Sequence, residues 1–105
     1  MVKSVAIFSL RPGIDPDETY KYWLGKHGEW VKDKVLPEAR KYTTNRVIHS
    51  FGEGNVYGVA EIWFDDMDSA MRAIGRLKEA QPDEFISKLI TPPQRFLVEE
   101  KDIEI

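Results

Sequence analysis

Two predicted β-strands carry apolar side chains on both faces, and this pattern constrains the fold more than any other feature of the sequence. Along residues 2–10 and 56–64, valine, alanine, isoleucine, phenylalanine and tryptophan occupy most alternate positions on each side of the chain. Strands of this kind must be covered on two sides. A chain of 105 residues has enough helix to cover one side of a sheet, so a partner has to cover the other.

The residues after the first strand carry the signals of a helix N-terminus. Asp15 is a suitable N-cap, Pro16 takes the first helical position and Glu18 completes a capping box. The helix is expected to span residues 16–35. Gly28 lies in its interior at a cost of about 1 kcal/mol relative to alanine, which predicts close packing or a bend at that point.

The remaining segments alternate between strand and helix patterns. Strands are predicted at residues 39–50, 56–64 and 94–98, and residues 99–105 are expected to extend the last strand or to cross to a partner. Asp65-Asp66 caps a second helix, and Pro82-Asp83-Glu84 can start a short third one. The apolar stripe of the second helix is formed by Met67, Ala70, Met71, Ile74 and Leu77.

The main elements follow the order strand, helix, strand, strand, helix, strand. This order predicts an α+β fold of the ferredoxin-like βαββαβ type, with helices on one face of a four-stranded antiparallel sheet. Residues 1–105 form a single domain in this interpretation. The uncovered sheet face predicts a homodimer in which two sheets pack face to face.

The least ordinary feature of the long helix is a histidine on its apolar side. At 3.6 residues per turn, His27 lies near the middle of the stripe that faces the core, whereas Tyr22 falls on the opposite, polar side. The other members of the stripe are Tyr20, Trp23, Leu24, Trp30, Val31 and Val35. Burial beside aromatic rings favours neutral imidazole, the form that a general base needs. His27 is therefore either a general base or a core histidine that hydrogen-bonds a backbone carbonyl and does no chemistry.

Two polar residues of the predicted strand 39–50 are candidates for holding a substrate oxygen. Tyr42 has a phenol that can donate to an enolate or carbonyl oxygen, and Asn45 has an amide that can orient a substrate or a water. Strict alternation puts the two side chains on opposite faces, so both line one pocket only if a bulge intervenes. Otherwise each is a polar residue at a rim or an interface.

A carboxylate lies in the middle of the apolar strand 56–64. Glu61 is costly there unless it is paired, and Arg46 or Arg95 across the sheet can supply the partner. The alternative is an acid or base of raised pKa in the pocket. His49 lies near a glycine-containing turn and is expected to be exposed.

Composition excludes several classes of function. The net charge of −3 and the pI near 5.4 give no basis for nucleic-acid binding. The absence of cysteine removes disulfides, thiolate nucleophiles, Cys-ligated zinc and iron–sulfur clusters. The two histidines lack ligand spacing, so no metal, haem or other cofactor is predicted. No apolar run approaches about 20 residues, so no membrane span is predicted and the cytoplasm is the expected location.

Several motifs together resemble the EthD family of the dimeric α+β barrel superfamily. The residues that carry the resemblance are Arg11-Pro12-Gly13, Tyr22-Trp23 followed by His27-Gly28, then Tyr42 and Asn45, and the run of residues 58–65. The resemblance implies a ferredoxin-like protomer that dimerises through its sheet and holds a small pocket between sheet and helices. Muconolactone-type relatives use a His and a Tyr that match His27 and Tyr42, together with cysteines that this chain lacks.

The residues and the resemblance together predict a cofactor-independent enzyme acting on a small oxygenated or aromatic compound of the lactone or polyketide kind. His27 would move a proton next to a carbonyl, with Tyr42 or Asn45 holding the oxyanion, in an isomerase, cyclase or lyase reaction. The ligand would contact Tyr20, Trp23, Trp30, Trp63 and Phe64. The alternatives are a non-catalytic ligand-binding or structural dimer and a cofactor-free monooxygenase.

Overall fold

The computed structural model describes residues 1–80 and 83–105 and contains one four-stranded antiparallel sheet. Its strands are β1 (Val2–Ser9), β2 (Lys41–Arg46), β3 (Val56–Phe64) and β4 (Gln94–Glu99). They lie in the order β2-β3-β1-β4, and each neighbouring pair is antiparallel. This order is that of the ferredoxin-like βαββαβ unit, so the predicted fold class is confirmed.

The first helical region is one continuous helix made of three segments. It consists of α1 (Pro16–Tyr22), a π-helical turn (Trp23–His27) and α2 (Gly28–Val35). Asp15 caps it as predicted and accepts the backbone N–H groups of residues 17 and 18. The Gly28 N–H reaches back to the Trp23 carbonyl, and a Cβ at Gly28 would lie 3.0 Å from that oxygen. The close backbone approach within the π-helical turn thus favours glycine at this position.

Two further helices complete the layer on one side of the sheet. Helix α3 (Met67–Glu79) is capped by Asp66, and the short α4 (Glu84–Leu89) is capped by Asp83. The predicted start at Pro82 lies outside the described residues, although Asp83 and α4 agree with the predicted third helix. Among the described helices, none has the length and apolarity needed to cross a bilayer.

The strand register divides the side chains between two faces. Ser4, Ala6 and Phe8 of β1 point toward the helices, opposite Ile62, Ala60 and Gly58 of β3. We call this side the inner face. It packs against α2 and α3 in one core cluster and against Trp23 and α4 in another.

The other side of the sheet, the outer face, is not covered by any described part of the chain. It presents the half-buried or exposed apolar side chains of Val5, Ile7, Val59, Trp63, Phe96 and Val98. Apolar residues therefore do project from both faces, as the sequence predicts, and the helices cover only the inner one.

Two side chains of the long helix differ from the predicted stripe. Leu24 was predicted to face the core, but 54% of it is exposed. Tyr22 was predicted on the polar side, but it is half-buried against Phe85 of α4. The physical reason is that the π-helical turn adds a residue to the helix and changes the register of its faces.

Two further predictions of facing are also corrected. Strict alternation along β3 would place Tyr57 on the same face as Glu61, yet Tyr57 is buried on the inner side because the β1–β3 register shifts by one residue after Phe8. Met67 and Met71, two members of the predicted stripe of α3, are exposed, whereas Ala73, which was not in the predicted stripe, is buried. The small side chains of Ala70 and Ala73 let this helix approach the sheet closely.

Gly58→Ala is expected to destabilise the protein by about 1–3 kcal/mol, because a Cβ there would lie 2.7 Å from the rings of both Phe8 and Trp23. Urea unfolding measures the loss. Gly75→Ala is the matched control, because nothing lies within 4 Å of its added Cβ. It should leave stability unchanged or raise it by up to about 1 kcal/mol. Equal stability of the two variants would contradict the close contact at Gly58.

Candidate active site

A histidine–aspartate pair joins the long helix to α4. The π-helical turn ends at His27, and its Nδ1 atom lies 3.0 Å from an oxygen of Asp83. Asp83 is fixed at the same time as the N-cap of α4, where it accepts the backbone N–H groups of Phe85 and Ile86. The carboxylate therefore has a defined position against the imidazole.

A tyrosine also bonds this carboxylate. The Tyr22 hydroxyl lies 2.9 Å from each oxygen of Asp83 and donates to it. Burial and the bond to Asp83 raise the pKa of Tyr22, so the phenol keeps its proton. Burial by itself would raise the pKa of Asp83, but the bonds from His27, the Ile86 amide and Tyr22 hold it below its ordinary value. Asp83 is accordingly an ionised acceptor at neutral pH.

The ionised carboxylate determines the tautomer of His27. Because Asp83 can only accept, the Nδ1 atom of His27 must carry the proton in their bond, which leaves the Nε2 lone pair free. Burial lowers the pKa of His27 below 6.5, and the bond to Asp83 only partly opposes this effect. The nearby charge of Arg95 lowers the pKa further. His27 is thus a neutral imidazole at pH 7, with one nitrogen held and one free to accept a proton.

The pair borders a cavity of about 310 Å³ beneath α2, α3 and α4, which we call the His27 cavity. Its polar lining is formed by Arg11, His27, Lys78, Asp83, Ser87, Thr91 and Arg95. Apolar walls come from Trp30, Val31, Leu77, Ala80, Ile86, Ile90, Pro92 and Pro93. Trp30 stacks on the imidazole with 5.7 Å between ring centroids and 24° between their planes. A mostly apolar space with a few convergent polar groups is typical of a small-molecule site.

A second depression lies on the other side of Tyr22. It is a wider, more open groove of about 690 Å³ between α1 and α4. Neither histidine of the chain lines this groove. The smaller cavity is therefore the better candidate for chemistry, because it encloses a group able to transfer a proton.

Tyr42 lies on the inner face with His27. Burial raises the pKa of Tyr42, while the Trp23 indole N–H and the charge of Arg95 lower it by a smaller amount. Tyr42 packs against the core cluster under α2 and α3. Its phenol is therefore protonated. Tyr42 is not among the residues that line the His27 cavity, and it lines a separate depression with Val35 and Ala39.

The other two predicted catalytic residues lie on the outer face. Asn45 donates to Glu61 over 3.1 Å and to the Val59 carbonyl over 2.9 Å. Glu61 pairs with Lys3 over 2.8 Å. The predicted partners of Glu61 are wrong, because Arg46 pairs with Asp17 and Arg95 turns to the opposite side of the sheet. Strict alternation holds along β2, and the structure does not bring Asn45 or Glu61 to His27.

The predicted ligand-contacting aromatic residues are dispersed. Trp30 lines the His27 cavity, whereas Trp23 and Phe64 are buried in the core. Tyr20 packs on Trp23 and lies under the guanidinium of Arg46. Trp63 lies on the outer face, where its indole donates to Glu100. His49 is exposed, as predicted.

Asp83, Tyr22 and Arg95 were not among the residues predicted for the site. Asp83 carried only the sequence signal of a helix cap, and such a cap does not indicate its partner. Arg95 was predicted as a partner for Glu61. Arg95 and Leu97 are two residues apart in β4, so alternation places both side chains on the same face of the sheet. This spacing was the signal in the sequence that could have placed Arg95 on the inner face.

Comparison with known proteins gives a family and several structural neighbours. The model of the EthD domain matches residues 11–87. An EthD family protein from Bacillus halodurans is 28% identical, with a TM-score of 0.66 over 96% of this chain and 99% of its own. No curated protein matches the chain by sequence.

Two more distant structures show the same fold. SnoaB, a cofactor-independent oxygenase from Streptomyces nogalater, is 20% identical, with a TM-score of 0.61 over 97% of this chain and 94% of its own. A dimeric ferredoxin-like protein of unknown function from Thermobifida fusca is 13% identical, with a TM-score of 0.64 over 92% and 88%. The neighbours of this fold thus include dimeric proteins and a cofactor-independent oxygenase.

Asp83→Asn is expected to lower the pKa of His27 further, because the carboxylate is the group that raises it. Asparagine still caps a helix, so α4 should persist. An NMR titration of both histidines measures the shift, with His49 as the internal reference. The control is Asp66→Asn, which alters the cap of α3 at the Ser69 amide. An unchanged or higher pKa of His27 would show that Asp83 does not hold the imidazole.

Proposed function

Because this chain belongs to the EthD domain family and carries a His–Asp pair at a cavity, we propose that it is a cofactor-independent enzyme. Its substrate is a small oxygenated or aromatic compound of the lactone or polyketide kind. The reaction is a proton transfer by His27 in an isomerase, cyclase or lyase. The observation that carries the proposal is the 3.0 Å bond from the His27 Nδ1 atom to Asp83 at the cavity wall.

In the proposed step, the free Nε2 atom of His27 removes a proton from a carbon next to a carbonyl. The C–H bond breaks, the proton moves to Nε2 and the electron pair moves to the carbonyl oxygen, which forms an enolate. Asp83 holds the other nitrogen, so its charge stabilises the imidazolium ion. Return of the proton to another carbon gives an isomer. Alternatively, attack of the enolate carbon on a second carbonyl closes a ring, and the proton on Nε2 passes to the oxygen of that second carbonyl.

The enolate oxygen needs a hydrogen-bond donor. Tyr42 keeps this proposed role because its phenol is protonated and it lies on the inner face near the charge of Arg95, although it lines a neighbouring depression and not the His27 cavity itself. Asn45 and Glu61 receive no part in the step, because they bond each other on the outer face.

A second candidate function is favoured by one neighbour. SnoaB has the same fold and is a cofactor-independent oxygenase, and removal of a proton from an electron-rich substrate would also prepare it for reaction with oxygen. Oxygen consumption during turnover separates this function from isomerisation or cyclisation. A non-catalytic ligand-binding or structural dimer would show neither oxygen consumption nor conversion.

The proposed assembly is a homodimer that pairs through the outer face. The support is the uncovered apolar surface of Val5, Ile7 and Phe96, together with the dimeric state of a neighbour of the same fold. Interfaces of obligate dimers bury about 2,000 Å² or more in total. A second sheet packed against the outer face would cover these apolar side chains.

His27→Gln is expected to slow proton transfer by about 10²- to 10⁴-fold, because it removes the general base. Deuterium uptake from D₂O into a panel of lactones and 1,3-diketones, followed by NMR, measures the rate. In the native protein the rate should rise as the pH increases through the lowered pKa of His27, below 6.5, and then level off. His49→Gln is the control. Equal uptake in both variants would contradict the role of His27.

Phe96→Glu is expected to convert the dimer into a monomer, because it places an unpaired charge in the apolar outer face. Phe96 is half exposed on β4 in the single chain. Analytical ultracentrifugation measures the mass. Phe51→Glu is the matched control, because Phe51 is almost fully exposed in the connection between β2 and β3. A native protein that is already monomeric at high concentration would contradict the proposed assembly.

A further inference from the structure

We infer that the His27 cavity takes an aromatic or conjugated carboxylic acid whose carboxylate binds Arg95, and this inference rests on the proposed function. Arg95 lies on β4 opposite Ala6, so its side chain leaves the sheet on the inner face. It lines the same cavity as His27 and Trp30. A bound carboxylate at Arg95 would hold the rest of the substrate in the cavity that His27 and Trp30 border.

The charge of the cavity points to an anion. Arg11, Lys78 and Arg95 line it, whereas Asp83 is its one described acid and is already bound to His27 and Tyr22. His27 is neutral at pH 7. The cavity therefore has an excess of positive charge in a protein whose net charge is −3. Such an excess favours the entry of negatively charged molecules.

The pairing of the arginines supports the same conclusion. The chain has six arginines. Four of them, all outside the cavity, pair with carboxylates: Arg40 with Asp65, Arg46 with Asp17, and both Arg72 and Arg76 with Glu38. Arg11 and Arg95, which line the cavity, have no carboxylate partner among the residues that the structure describes. The unpaired guanidinium groups are therefore concentrated where a ligand would bind.

Arg95 is also held in a defined position. Its Nη1 atom donates to Ser4 Oγ over 2.7 Å, and Ser4 is completely buried. Its other nitrogens have no protein acceptor among the described residues and remain accessible. Burial lowers the pKa of Arg95, which reflects the cost of a desolvated charge without a counter-ion. A carboxylate would accept two parallel N–H groups from this planar fork and would offset that cost.

The walls of the cavity define the rest of the ligand. Trp30, Leu77 and Ile86 present flat or branched apolar surfaces beside the charged group. A volume of about 310 Å³ holds one or two fused rings with a substituent. Asp83 occupies the N-terminus of α4, so a phosphate would meet a negative charge there. These features together favour a planar carboxylic acid.

The test compares 2-naphthoate with the neutral 2-naphthamide in binding titrations followed by NMR. The native protein should bind the carboxylate at least about 10-fold more tightly than the amide. Arg95→Gln should remove most of this preference, whereas Arg72→Gln, at an exposed ion pair, should retain it. The Arg95 Nε–H resonance of the native protein should also shift with naphthoate and not with naphthamide, a readout that does not depend on folding of the variant.

Equal affinity for the two compounds, or a preference that persists in Arg95→Gln, would overturn the inference. The deuterium uptake measured for His27 is independent of this result. An Arg95-dependent preference without any His27-dependent uptake would support the carboxylate site and contradict the proposed enzyme. Deuterium uptake into neutral compounds alone, with no preference for naphthoate, would support the proposed enzyme and contradict the proposed carboxylate site.

Discussion

The contact between the Trp23 indole and the glycine of the central strand is the interaction on which the rest of the structure depends. Gly58 has no Cβ, and a Cβ atom added there would lie 2.7 Å from the indole of Trp23. The helix therefore approaches the sheet closely at the residue where the π-helical turn begins. Phe8 meets the same indole edge to face, with 4.9 Å between centroids. The turn that follows ends at His27, so this packing positions the imidazole over the cavity.

Charged side chains are paired differently on the two faces of the sheet. On the outer face, Lys3 is bonded to both Glu61 and Glu100, so its positive charge is balanced by the chain itself. On the inner face, Arg95 has only the hydroxyl of Ser4 as a described partner. A balanced face suits contact with a second protein surface, whereas an unbalanced buried charge suits a ligand of opposite sign. The proposed assembly and the proposed binding site follow from this difference.

The elements were predictable because their signals are local. The caps at Asp15 and Asp66 and the strand at residues 56–64 depend on neighbouring residues in the chain, and all appear in the structure. The facing of Leu24, Tyr22 and Tyr57 was not predictable in the same way. A π-helical turn and a register shift each displace side chains by one position, and both arise from packing against distant elements.

The sequence by itself determined the order of strands and helices, the family, and the presence of a histidine on the side of a helix that faces the core. It also determined that Tyr42 and Asn45 lie on opposite faces, because alternation in a strand is a property of the backbone. Only the tertiary structure decided that His27 bonds Asp83, 56 residues away, and that Arg95 joins them at one cavity. The reason is physical: hydrogen bonds and cavities join side chains through space, and no local pattern encodes the distance between elements far apart in the chain.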